Sequence, residues 1–116
     1  MAQKKHITIK LYNEKEGKFQ TYVAVRKNAD YLYEALGLLA EAEELETMRE
    51  GIPLLKKQIA FVVKYFNKQF TQKQFEEGLE PYEIRDEVSR ILSEICGFLP
   101  IADIEDKEGQ SDFLEQ

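Results

Sequence analysis

Residues 5–12 alternate in character. Ile7, Ile9 and Leu11 fall on one side of an extended chain, and His6, Thr8, Lys10 and Tyr12 on the other. A period of two predicts a half-buried strand. Residues 13–18 are polar and contain Gly17, which suits a turn. Alternation resumes over 19–26, with Phe19, Thr21, Val23 and Val25 set against Gln20, Tyr22, Ala24 and Arg26. The two strands predict an antiparallel hairpin over 5–26. A lone hairpin is marginally stable, so its apolar face must pack on the rest of the chain.

The chain beyond the hairpin has helical spacing. Asn28 or Asp30 can accept the free amides of a first turn. Leu32, Ala35, Leu36, Leu39 and Ala42 form a stripe, predicting a helix over about 29–50 that ends at Gly51. The run Glu41, Glu43, Glu44, Glu46 sits toward the negative end of the helix dipole, so fraying is expected there. Pro53 suits the first turn of a helix over about 53–68. Its apolar positions are Leu55, Ile59, Val62, Val63 and Phe66, widened by Phe61 and Tyr65.

Thr71 and Gln74 have capping-box spacing, and Phe70 and Phe75 flank them as a hydrophobic staple, which predicts a short helix over 72–77 ending at Gly78. Pro81 opens a last helix over about 81–96, with Ile84, Val88, Ile91, Leu92 and Ile95 on one face. Gly97 closes it, and Phe98 is expected to fold back on Leu92. The sequence thus predicts one α+β domain over 1–98, a hairpin on about four helices. Residues 99–116 hold six acids and one lysine, and read as a flexible acidic tail.

Composition narrows the function. Of 116 residues, 43% are hydrophobic, enough for a core, and 33% are charged, enough for a well-solvated surface. Sixteen bases against 22 acids leave a net charge of −6, which disfavours a nucleic-acid binder. Lys4, Lys5 and His6, and Lys56, Lys57, Lys64 and Lys68, are the local basic groups, the latter read as a solvated helix face. Cys96 is the single cysteine, which excludes a disulfide within the chain and suits a reducing compartment. His6 is the single histidine, so Cys–His catalysis and histidine-rich zinc sites are not expected. No apolar run nears the ~20 residues of a membrane span. The basic start leads into alternation, not into a secretory signal.

No catalytic, cofactor or metal site is predicted. Glu76–Glu77 and Asp86–Glu87 are sequence neighbours, which do not face each other on a helix. The glycines form no phosphate loop. Asp103, Glu105, Asp106 and Glu108 lack the spacing of a calcium loop. Ser89, Ser93 and Ser111 have no histidine base. Aromatic and aliphatic surface remains. Seven Phe and six Tyr exceed what a core this size places at its centre, and tyrosine suits interfaces. The candidate protein-binding positions are Tyr31, Tyr33, Leu38, Tyr65 and Tyr82, with Phe113 and Leu114 as a docking hook near the end.

The order of parts resembles the tail assembly chaperones of long-tailed bacteriophages, siphophages and prophages of Gram-positive hosts. The resemblance rests on the opening Lys4-Lys5-His6-Ile7-Thr8-Ile9, the strand Tyr22-Val23-Ala24-Val25-Arg26-Lys27, the phrase from Val62 to Thr71, and above all Phe75-Glu76-Glu77-Gly78-Leu79. It spans about residues 4–97 and leaves the tail outside. The Glu-rich end of the first long helix is longer than the family pattern. The resemblance implies a protein that binds the long, helical tape measure protein, keeps it soluble in the host cytoplasm, helps recruit tail tube subunits and is absent from the finished virion. It implies no cofactor, and this chain would be the short form where a frameshift makes two. Weak self-association suits many copies on one client. The alternatives are a structural tail or head–tail connector protein, and a small acidic regulator of a basic DNA-binding protein.

Overall fold

A computed structural model describes residues 6–101 of the chain. Its elements are β1 (Thr8–Asn13), β2 (Lys18–Val23), α1 (Ala29–Glu43), α2 (Met48–Tyr65), α3 (Gln72–Glu77) and α4 (Pro81–Ile95). The fold is α+β, an antiparallel hairpin followed by helices, as the alternation and the helical stripes predict. Phe113, Leu114 and the acidic tail from residue 102 onward lie outside the described residues. Ile101, expected at the start of that tail, packs half-buried against the core.

The turn sets the hairpin register. The Asn13 carboxamide oxygen accepts from the backbone amides of Lys15 and Glu16, and Gly17 takes a φ of 66°. Asn13 then pairs with Lys18, Leu11 with Gln20 and Ile9 with Tyr22. Cross-strand partners share a face. The inward face of β2 is therefore Gln20, Tyr22 and Ala24, beside Ile7, Ile9 and Leu11. This inverts the expectation for β2: Phe19 and Val25 point outward despite being apolar. Thr8 is also buried, and its carbonyl accepts from Arg90 of α4.

The largest correction concerns the first two long helices. The break lies at residues 44–47, not at Gly51, and α2 starts at Met48, not at Pro53. Thr47 and Glu50 form a capping box: the Thr47 hydroxyl accepts from the Glu50 amide at 3.3 Å, and the Glu50 carboxylate accepts from the Thr47 amide at 3.4 Å. Two amides satisfied in this way start a helix ahead of Gly51 and Pro53, which α2 then absorbs. At its other end α2 stops at Tyr65, short of the expected 68. Asn67 and Lys68 take φ of 58° and 57°, and their amides bond to Lys64 and Val63 carbonyls, a glycine-free Schellman ending.

The other caps follow expectation. Asn28, not Asp30, caps α1. Thr71 and Gln74 exchange bonds of 2.8 and 3.0 Å at the start of α3. Gly97, with φ 80°, closes α4 through the Phe98 amide and the Ser93 carbonyl. Phe98 itself stays exposed and does not fold back on Leu92.

The core sits where the hairpin, α2, α3 and α4 meet. Phe66, Phe70 and Phe75 are fully enclosed and touch in series, with centroids 5.5 and 6.3 Å apart, and Tyr22 reaches Phe70 at 4.9 Å. Each such ring pair contributes about 0.5–1.5 kcal/mol beyond area burial. On α1 Ala35 is buried as the stripe predicts and Leu39 is half-buried against the core, but Leu38 is buried in place of Leu36, which is exposed.

Arg90 ties α4 to the hairpin. Its guanidinium donates to the Glu87 and Glu94 carboxylates at 2.7 and 3.0 Å and to the Thr8 carbonyl at 2.9 Å. Burial alone would lower its pKa, but the carboxylates of Glu87 and then Glu94 outweigh burial and hold it above its ordinary value. Glu94 is buried, and its second oxygen, Oε1, has no hydrogen-bond partner among the described residues.

Candidate protein-binding surface

The sequence positions proposed for binding separate into two groups. Tyr33 and Tyr82 are 67% and 77% exposed, on the outer faces of α1 and α4. Tyr31 is half-buried, with its ring 5.6 Å from Tyr65 and 6.1 Å from Phe61. Leu38 and Tyr65 are buried and belong to the core, contrary to their expectation as free surface. A tyrosine in a helical stripe and a tyrosine at an interface look alike in sequence. The neighbouring Phe61 and Phe66 draw Tyr65 inward. Burial, and then the nearby charge of Glu94, pushes the Tyr65 phenol above its ordinary range.

Between α1 and α2 runs an open groove of about 460 Å³. Leu38 and Phe61 form its floor, and Gly37 and Ala60 keep its walls low. Two ion pairs cross it, Glu34–Lys64 at 2.8 Å and Glu41–Lys57 at 3.1 Å. Both are solvent-exposed, and such pairs contribute about 0–1 kcal/mol. Lys64 also lies 5.5 Å from the Tyr31 ring and 5.7 Å from the Phe61 ring. Lys27 closes the end of this aromatic cluster. Its amine donates to Asn67 at 2.7 Å and lies 5.2 Å from the Tyr65 ring, and partial burial lowers its pKa.

Beyond the groove, the α1–α2 hairpin projects. Every residue from 41 to 50 is exposed. Leu45, Met48 and Ile52 are at this end, and Met48 is 93% exposed. Sequence reasoning missed these three because it ran the first helix through Leu45 and Met48 to about residue 50 and left Ile52 in the break before Pro53. The signal that finds them is Thr47 three residues before Glu50, a second capping box inside an apparently unbroken helical run. Tyr12 and Phe19 give the β-hairpin a smaller apolar patch, closed on itself by a ring contact of 5.1 Å and by Lys10 over Phe19.

Among the described residues no cluster of three or more His, Cys, Asp or Glu could hold a metal ion, and no helix is long and apolar enough to cross a membrane. Cys96 is half-buried at the end of α4, and burial raises its thiol pKa, which leaves it a poor nucleophile.

Searches among curated proteins and among solved structures each return no match. A family model described as phage tail chaperone protein matches residues 3–112, nearly the whole chain and further toward the C-terminus than the resemblance drawn from the sequence. The chain therefore belongs to the phage tail chaperone family.

Proposed function

We propose that this chain binds the tape measure protein in the host cytoplasm, keeps it soluble, helps recruit tail tube subunits and departs before the virion is complete. Membership of the tail chaperone family supports binding of tail proteins. The observation that favours a long apolar client is the amount of large apolar surface left outside the core: Tyr33, Met48, Ile52 and Tyr82 are all exposed on helices. A client with apolar helix faces is insoluble alone, and a partner offering exposed aromatic and aliphatic side chains shields such faces without a cofactor. The net charge of −6 then keeps the complex dispersed. Weak self-association would let several copies line one client.

Co-expression tests this reading. The tape measure protein is expressed with and without this chain, and its soluble fraction is measured. The expected result is a soluble complex containing both chains. Equal solubility of the client in both cultures refutes the proposal. Mass spectrometry of purified virions separates the structural-protein alternative, since a connector stays in the particle and a chaperone does not.

A further inference from the structure

We propose that the projecting end of the α1–α2 hairpin docks an amphipathic helix whose apolar face is flanked by Lys or Arg. Leu45, Met48 and Ile52 form the contact surface, and Glu43, Glu44 and Glu46 supply the attraction. The inference deepens the chaperone reading by naming a surface and the chemistry of its partner. It depends on that reading only for which protein supplies the helix.

This end lies beyond the core. The last buried residue of α1 is Leu38 and the first of α2 is Leu54. At about 1.5 Å per residue the arms extend some 8 Å past the packed region. Nothing in the fold requires large apolar side chains there. Yet Met48 and Ile52 are four residues apart on one helix face. Leu45 lies 3.7 Å from the place a Cβ would occupy at Gly51, three residues on from Met48. The three side chains therefore border a single patch, and Gly51 leaves it a shallow notch. Methionine at its centre adapts to varied partners.

The patch is pre-ordered. Glu50 accepts from the Glu46 and Thr47 amides, and Thr47 caps α2 in return. A rigid loop loses little conformational freedom on binding, which favours affinity.

Charge identifies the partner. Glu41 is paired with Lys57 and Glu50 is engaged in the cap, but Glu43, Glu44 and Glu46 form no ion pair among the described residues. Arg49 is the only base between residues 41 and 50. Two of the unpaired acids also stand at the C-terminus of α1, where the helix dipole is already negative and acids are unfavourable. A partner carrying cations relieves both repulsions and is steered toward them. A second copy meeting this end with the same end would oppose acid to acid, and an anionic membrane would be repelled. The rows of a helix surface suit another helix better than a strand.

The test uses the full-length chain and a fluorescent peptide of about five helical turns. The peptide carries leucine on one face and lysine on the flanks. A counterpart has glutamate in place of lysine. The wild type should bind the lysine peptide and not the glutamate one. Glu43→Lys with Glu46→Lys, and separately Met48→Ser with Ile52→Ser, should each weaken binding about tenfold, equivalent to about 1.4 kcal/mol. Glu14→Lys with Glu16→Lys in the β-turn makes the same change in net charge and should leave affinity unchanged. The proposal is overturned if the β-turn pair weakens binding as much as the Glu43/Glu46 pair, because net charge then explains it. It is overturned if Met48→Ser with Ile52→Ser binds normally, or if these changes alter only the sedimentation of the protein alone. A tape measure client that the wild type fails to solubilise refutes the chaperone reading, while the peptide result still decides this one. A client solubilised equally by both Met48/Ile52 forms refutes this inference and spares the chaperone reading.

Discussion

Two glycines should respond to alanine in opposite directions. At Gly78 the chain comes so close to β1 that an added Cβ would lie 2.8 Å from the Leu11 Cβ, 2.9 Å from the Gln74 carbonyl oxygen and 3.2 Å from the Tyr12 nitrogen. Carbon atoms prefer about 3.5–4.0 Å, so the shortfall against Leu11 is about 0.7–1.2 Å. Two of the three neighbours are backbone and cannot swing aside, and the Tyr12 amide donates to the Gly78 carbonyl at 3.0 Å, which opposes retreat. The φ of Gly78 is −86°, which any residue adopts, so the effect is purely steric. Overpacking costs about 1–3 kcal/mol, and the stiffer unfolded chain returns about 0.4–1 kcal/mol. Gly78→Ala should therefore destabilise by about 1–2 kcal/mol, lowering Tm by about 5–15 °C for a domain of this size. At Gly37, inside α1, no atom beyond its chain neighbours and the helix's own backbone lies within 4 Å of the added Cβ. Gly37→Ala should stabilise by about 0.5–1 kcal/mol through helix propensity. Thermal unfolding followed by far-ultraviolet circular dichroism reads both. A Gly78→Ala protein as stable as the wild type, or both variants moving the same way, refutes the close approach of α3 to β1.

The same geometry sets three further outcomes. Arg90→Ala leaves Glu94 buried without its cation and should cost about 3–5 kcal/mol in urea denaturation, whereas Arg90→Met with Glu94→Leu should recover most of that loss; equal losses would show that the charges contribute nothing beyond packing. The Tyr65 phenol is raised in the fold, so the stability tied to its neutral form is complete below its unfolded pKa near 10 and is lost as pH rises through the higher folded value. Urea midpoints should therefore fall more above about pH 10 for the wild type than for Tyr65→Phe, and parallel curves would contradict the assignment. Cys96, with its thiol pKa raised by burial, should react with iodoacetamide more slowly in the folded protein than in urea; a faster folded-state reaction would contradict that burial.

Much of the fold was legible because short-range rules dominate where they are strong. The Thr71–Gln74 box, the Phe70–Phe75 staple, Pro81 and Gly97 each satisfy or terminate backbone groups locally, and each boundary falls where those groups dictate. The errors fall where a second interaction outweighs the local one. Gly51 and Pro53 looked like a boundary, but the Thr47–Glu50 cap satisfies the helix start upstream of both. Phe19 and Val25 looked like core, but the Asn13 turn sets a register that sends Tyr22 and Ala24 inward instead. For the candidate surface, composition indicated surplus aromatic side chains without saying which are surplus. Tyr65 and Leu38 are absorbed by Phe61, Phe66 and the α1–α2 packing, and Tyr33 and Tyr82 are not. Met48 was hidden because its exposure depends on where one helix ends and the next begins.

Site-specific photo-cross-linking addresses the central claim most directly. A photoreactive phenylalanine analogue is placed at position 48, and separately at position 15 in the β-turn, in the chain co-expressed with the tape measure protein. Irradiation at position 48 should yield a covalent adduct containing both polypeptides, and irradiation at position 15 should yield none. Adducts from position 15 alone, or no adduct with the tape measure protein from either position, would contradict the account.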